Sequence, residues 1–364
     1  MIGWYIHHQG HGHLHRATAV ARAAAAHGLP ITGLSSLPQP PDWPDAAWVQ
    51  LDRDDTSLPS DPAGEGPAGE AAEQSLDPTA AGTLHWVPRH HPGLLRRSAQ
   101  LSSWLESRRP ELIVVDVSVE IALLARLHGI PVVTVALPGD RTDPAHRLGY
   151  AISERVVGMW PQAAADIFRG AEDVQALGGL SRFTPEDGVM GSAEADTGSA
   201  TASTDSPARP LRVVVLSGGG GGAVETGSIE QVRRLLPSAQ VTVLGGAGSW
   251  EADPWTHLQR ADLVLTAAGQ NSIAEVAASR TPALVTALDR PHQEQRHMLS
   301  ALERGPWPVM RMPALQDDAA WELAVSQILQ LDGEEWSSWC DGGAADRFAA
   351  LLQELTDVGA DLSR

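Results

Sequence analysis

Short runs of consecutive apolar residues alternate along this chain with stretches in which apolar positions recur every three or four residues. The first pattern suits strands covered on both faces and the second suits helices packed on a sheet, so the alternation predicts βαβ units around parallel sheets. Ile2–Ile6 reads as a first strand, followed by a Gly/His loop and an Ala-rich helix from about Leu14 to His27 that Gly28 stops. Ile31–Leu34, Leu112–Val115 and Val132–Ala136 are further strands, the last two flanking a helix over about Val119–His128 that closes with Gly129.

The rhythm then restarts. Leu211–Leu216, Gln240–Leu244, Leu263–Thr266 and Ala283–Thr286 read as strands, with helices over Ile229–Leu235 and Ser272–Ser279 between them. Helices over about Gln293–Arg304, Asp317–Leu331 and Trp336–Leu355 follow. Two stretches break the pattern. Residues 52–82 are rich in Asp, Glu, Pro, Gly and Ala and read as a solvated, flexible acidic loop. Residues 191–210, GSAEADTGSATASTDSPARP, have the composition of a flexible linker. The expected organisation is α/β: an N-terminal domain over 1–190, the linker, and a C-terminal domain over 211–364, with a ligand cleft between them.

Composition narrows the chemistry. The 364 residues carry 26 basic and 45 acidic side chains, a formal charge of −19, which argues against nucleic-acid or anionic-membrane binding. Every basic residue is Arg, so Schiff-base chemistry and a P-loop lysine are excluded. The single Cys340 rules out a disulfide framework or a multi-Cys metal site and suits a cytoplasmic setting. No signal peptide or membrane-spanning run is expected.

Three segments carry candidate chemistry. The loop after the first strand, His7-His-Gln-Gly10-His11-Gly12-His13-Leu-His15-Arg16, holds five of the 14 histidines, and strand C-termini are where parallel sheets bind ligands. Gly10 and Gly12 permit close backbone approach, while His13 or its neighbour is a candidate general base. His7, His8 and His15 also fit capping or surface roles. A metal is not expected here, because no carboxylate or Cys completes the set and a helix N-terminus disfavours cations.

The second segment is Ser217 followed by Gly218, Gly219, Gly220, Gly221 and Gly222, either a nest of amides for phosphate oxygens or a plain flexible turn. The third is Gly269-Gln-Asn271-Ser272-Ile-Ala-Glu275, where Asn271 or Ser272 is a natural N-cap. Glu275 then either closes a capping box or accepts the hydroxyls of a vicinal diol such as ribose. Beyond the next strand, Leu288-Asp-Arg290-Pro-His-Gln-Glu294-Gln295 offers an acid and an amide to further hydroxyls, or is a solvated helix start. Trp86 is either a sugar platform or a core residue.

Together these segments resemble the glycosyltransferases of the GT-B fold, in particular the bacterial lipid-linked N-acetylglucosaminyltransferase of peptidoglycan synthesis and the UDP-glucuronosyl and macrolide transferases. The likeness is carried by Gly12-His13, Ser217–Ala223, Gly269-x-Asn271-Ser272-x-x-Glu275 and Glu294-Gln295, and is most specific over about 210–305. It implies two Rossmann-like parallel-sheet domains facing across a cleft. It also implies inverting, metal-independent transfer of a sugar from a UDP-type co-substrate to an acceptor hydroxyl, with no further cofactor.

By the same resemblance the glycine loop faces the phosphates, Glu275 holds the ribose, Glu294 and Gln295 hold the sugar, His13 is the base and Asp116 orients it. From the residues alone, Asp116 is equally a helix N-cap before Val119. Ala267 and Ala268 stand where the glucuronosyl and macrolide groups carry a His, leaving the diphosphate to backbone amides and Arg290. Gly12-His13-x-x-Arg16 also resembles the nucleotide-sugar hydrolase of pseudaminic acid synthesis, and a catalytically inert nucleotide-sugar-binding protein is a third reading.

Overall fold

The apolar runs of four and five residues become strands buried on both faces, which is what a parallel sheet wrapped by crossover helices requires. The computed structural model describes residues 1–44, 47–55, 77–184, 209–218, 223–246, 248–249, 251 and 253–362. Most of the acidic stretch 52–82, and all of 191–210 except its last two residues, lie outside the described residues.

In the first half, β1 (Ile2–Tyr5), α1 (Gly12–Ala26), β2 (Ile31–Ser35) and β3 (Trp48–Gln50) lead to α2 (Pro92–Arg108), β4 (Leu112–Asp116), α3 (Val119–Leu127) and β5 (Val132–Ala136). Then come β6 (Gly139–Asp140), α4 (Pro144–Ala151), β7 (Arg155–Gly158), β8 (Phe168–Arg169) and β9 (Val174–Ala176). The second half runs β10 (Arg212–Leu216), α5 (Thr226–Leu235), β11 (Gln240–Leu244), α6 (Trp255–Leu258), β12 (Leu263–Ala267), α7 (Gln270–Ala278) and β13 (Ala283–Thr286). It closes with α8 (Glu294–Arg304), β14 (Val309–Arg311), α9 (Asp318–Ile328) and α10 (Ala344–Leu362).

Two large parallel sheets result, beside a two-stranded one of β6 and β8. One has seven strands in the order β3-β2-β1-β4-β5-β7-β9, the other five in the order β11-β10-β12-β13-β14. In each sheet the connections run outward in both directions from one neighbouring pair, β1/β4 and β10/β12. Loops leaving such a pair diverge and open a crevice at the strand C-termini. The first pair delivers residues 6–11 and Asp116 to one crevice, and the second delivers Ser217 and Ala268–Gly269 to the other.

The halves are not separate globules. One buried cluster combines Trp160, Ile167 and Phe168 of the first half with Ile273, Leu299, Trp336 and Trp339 of the second. The last helix, α10, was expected within the second half. It packs instead on the first: Phe348, Ala349, Leu351 and Leu352 join Trp4, Val20 and Ala24, and the Phe348 and Trp4 rings lie 5.1 Å apart. The reason is its apolar stripe, which completes the covering of the first sheet beside α1.

Candidate functional site

The helix start places the first candidate. α1 begins at Gly12, two residues earlier than its apolar pattern suggests, so His13 rides on the first turn. Its Nδ1 sits 3.1 Å from Oδ1 of Asp116, at the end of β4, although the ring is not aligned for a hydrogen bond. Arg16, one turn further along, donates from Nη1 to both Asp116 oxygens at 2.8 and 3.1 Å. Asp116 is fully buried. Burial opposes its ionisation, but the Arg16 guanidinium outweighs that, helped by the imidazoles of His13 and His7, and holds the carboxyl below its usual range.

Arg16 also reaches the other half. Its Nη2 donates to Oε1 of Gln270 at 2.9 Å, and Gln270 Nε2 donates in turn to the Met159 carbonyl at 3.2 Å. The first residue of α7 is thereby fastened to the first half and to the His13–Asp116 pair. Alongside, a Cβ on residue 12 would fall 1.8 Å from Asn271 Nδ2, so any side chain there would have to displace the Asn271 amide from the cleft wall.

The two crevices merge into a cleft of about 590 Å³. The first half lines it with Gln9–Gly12, His13, His15, Arg16, Leu137 and Arg182, the second with Leu216–Gly218, Gly269–Ser272, Glu275, Arg290, Glu294 and Gln295, among others. Of the described candidate residues, His7, His8, Trp86 and Asp116 do not line this cleft, and Asp116 lies behind His13. Gly219, Gly220, Gly221 and Gly222 lie outside the described residues.

Several local readings resolve. α7 starts at Gln270 with Gly269 as its N-cap, so Ser272 falls inside the first turn and neither Asn271 nor Ser272 caps. The capping-box reading of Glu275 fails with it. Glu275 is instead buried and accepts from Arg182 Nε at 2.8 Å; burial pushes its pKa up and Arg182 draws it partly back. Glu294, 3.6 Å from Arg141, is also raised by burial, against the pull of Arg141, His13 and Arg16. Gln295 accepts the Leu288 N–H at 2.9 Å. Ser118, not Asp116, caps α3.

His8 is neither a cap nor a surface residue. It is buried against Asp54 and Asp55, with Nε2 3.1 Å from Asp55. Trp86 is 42% exposed and donates to the Asp54 carbonyl, so the core reading of that residue is overturned. Gln270, Arg182 and Arg141 belong to the site and were not singled out. Gln270 stood inside a motif already flagged, whereas the two arginines meet their partners only through the fold.

No family model matches the chain, and no curated protein does. Solved structures do. The glycosyltransferase of kitacinnamycin superposes with a TM-score of 0.65 over 97% of this chain and 98% of that one, at 16% identity. Acinetobacter baumannii MurG follows at 0.57, covering 97% and 99% at 14% identity. The spinosyn rhamnosyltransferase SpnG, in complex with spinosyn aglycone, matches 100% of both chains at 0.56 and 16% identity.

The chain has the GT-B fold. SpnG has also been solved with thymidine diphosphate. Against the GT-B frame, the sequence motifs at Gly12-His13 and Gly269–Glu275 fall on opposite walls of one cleft. Among the described residues, no helix is long and apolar enough to cross a membrane.

Proposed function

We propose that this protein is an inverting glycosyltransferase that moves a sugar from a nucleoside diphosphate to an acceptor hydroxyl, with UDP- and dTDP-sugars the donors to test first. The observation that carries the reading is the His13–Asp116–Arg16 arrangement, set across the cleft from the Gly269–Ser272 helix start and from Glu275. An acceptor hydroxyl is a weak nucleophile until its proton is withdrawn as the new bond forms. His13 takes that proton through Nε2 while Asp116 steadies the imidazolium through Nδ1. Asp116 suits the task because Arg16 keeps it ionised in a buried setting.

On the leaving side, negative charge grows on the diphosphate. The first amides of α7 and the Gly218 backbone stabilise it, with Arg290 on the same wall. No metal is called on at the diphosphate. Glu275 receives the ribose hydroxyls, exchanging part of its bond to Arg182 for them. Glu294 and Gln295 hold the sugar. Calorimetry with UDP and dTDP, followed by product analysis with and without acceptor hydroxyls, tests this. Sugar transfer that needs the acceptor supports it. Full-rate release of free sugar in its absence makes the protein a hydrolase, and binding without turnover makes it a nucleotide-sugar-binding protein.

A further inference from the structure

A second group of ionisable side chains lies outside the cleft lining and draws on both halves. Asp143, the N-cap of α4, stands among three imidazoles. His146 Nδ1 is 2.5 Å from its Oδ2, His85 Nε2 is 3.3 Å from its Oδ1, and His292 Nδ1 is 3.8 Å from its Oδ2. The His85–His146, His146–His292 and His85–His292 ring centroids are 4.3, 4.9 and 6.2 Å apart. The rings are inclined at 56°, 88° and 70° rather than stacked.

We propose that His85, Asp143, His146 and His292 bind one divalent transition-metal ion of the zinc type, which clasps the two halves together beside Glu294.

The donor set fits such an ion. Zinc takes imidazole nitrogen and carboxylate oxygen at about 2.0–2.2 Å in a tetrahedron, which puts neighbouring donors roughly 3.3–3.6 Å apart. The His85–Asp143 separation already matches that edge, and His85, Asp143 and His146 offer donor atoms that all lie within 4.8 Å of one another. His292, 3.8 Å from the other Asp143 oxygen, stands just outside this trio and closes in to complete the tetrahedron. The donors are also available without competition from protons. Burial lowers the His146 pKa to about 4 and lowers that of His292, so both rings are neutral at neutral pH. Asp143 is ionised: burial opposes this, but the His146 hydrogen bonds and the His85 imidazole hold its carboxyl well below the usual range.

The backbone supports the same reading. His292 and Gln293 have φ of +58° and +54°, two successive non-glycine residues in the left-handed region, a costly conformation that tends to mark functional positions. The loop closes over Gly139, whose φ is +109° and where a Cβ would lie 2.4 Å from the His292 carbonyl. Strained backbone and close packing therefore hold the half-buried His292 beside Asp143.

Other charged groups face the cluster. Glu120 accepts the backbone N–H of His85 at 2.7 Å. Arg141 approaches the other nitrogen of His146, with Nη1 3.5 Å from Nε2, and lies 3.6 Å from Glu294. Without metal, His146 carries its proton on Nδ1 toward Asp143 and offers Nε2 to Arg141. With metal on Nδ1, the proton moves to Nε2, and Arg141 is turned from His146 toward Glu294. No proton is gained or lost overall. Metal occupancy thus reaches the sugar end of the cleft through one arginine.

The test is titration of chelator-treated full-length protein with Co²⁺ and Zn²⁺, read by visible ligand-field absorption, metal stoichiometry and melting temperature. One ion per chain, tetrahedral Co²⁺ bands and a raised melting temperature are expected. His85→Ala and His146→Ala should each weaken binding by more than the ~10–100-fold that loss of an outer-shell partner costs. His85 and His292, about one-third exposed, are the variants least exposed to misfolding. No bands and no melting shift up to millimolar metal would overturn the site. So would loss of the signal in Asp55→Asn but not in His146→Ala, which assigns the ion to the His8–Asp54–Asp55 group. Unchanged affinity in His292→Ala overturns the clasp.

Discussion

The segments that follow the first strand of each half are made of opposite materials. After β1 come imidazoles wedged against one another and against a buried carboxylate: the His7 and His13 rings lie 5.7 Å apart, and Arg16 grips Asp116 from behind. After β10 come a serine and five glycines, with no side chain beyond a hydroxyl. A group that transfers a proton must be held by its own side-chain contacts, because its pKa and aim depend on them. A group that receives an anion needs amides and nothing in front of them. The contrast matches the proposed division of labour, and it can be broken at either loop.

The largest effect is expected on the side-chain wall. His13→Ala should cut kcat by ~10²–10⁴-fold while calorimetric nucleotide affinity stays within a few-fold; equal loss of both would remove His13 from the base role. Asp116→Asn should lower kcat by about 10²-fold or more. It should also depress the melting temperature, because Arg16 keeps a buried charge without its partner.

Smaller effects belong to the amide wall. Glu275→Ala should raise the donor KM about tenfold or more with a lesser change in kcat, consistent with ~1.5–3 kcal/mol for a hydrogen bond to a charged group. An unchanged KM would free Glu275 from the ribose. Gly218→Ala sharpens the contrast with Gly12→Ala. At 218 the nearest atom to an added Cβ is Ser272 Oγ at 3.4 Å, and the melting temperature should hold. At 12 the clash with Asn271 should lower both melting temperature and kcat/KM.

Acid should act mainly through the first half. Burial, with His13 and His8, lowers His7 to about 3, and burial with Arg182 lowers His15 to about 4, against an ordinary 6.5. The unfolded chain therefore binds more protons as pH drops below about 6.5, and folded stability falls with it. Asp116 adds to the loss near and below its ordinary pKa of 3.8. Glu275 and Glu294, whose pKa values burial raises, act in the opposite sense near 4.5. Melting scans at successive pH values should thus show the fall most clearly between about 6.5 and 5.

Much of this architecture could be read from sequence because buried parallel strands are nearly continuous apolar runs. Val132–Ala136 and Ala283–Thr286 stand where the runs place them. The segments that escaped are those with mixed surfaces. Trp48–Gln50 is a half-exposed edge strand, and the helix Pro92–Arg108 has a polar face broken by Ser and Arg. The candidate site divides in the same way. Residues on strand-end loops were legible because topology alone delivers them to a crevice. Arg16–Gln270 and Arg182–Glu275 were not, since 254 and 93 residues separate the partners and no local signal links them.

The return of α10 to the first sheet ties the ends of the chain to one body. A fragment stopped in the 191–210 segment would lack Phe348, Leu351 and Leu352 and would bare the apolar surface around Trp4, Val20 and Ala24 to water. Such a fragment would self-associate, whereas a chain severed in that segment but retaining both pieces would reassemble, its tail roofing the first sheet again.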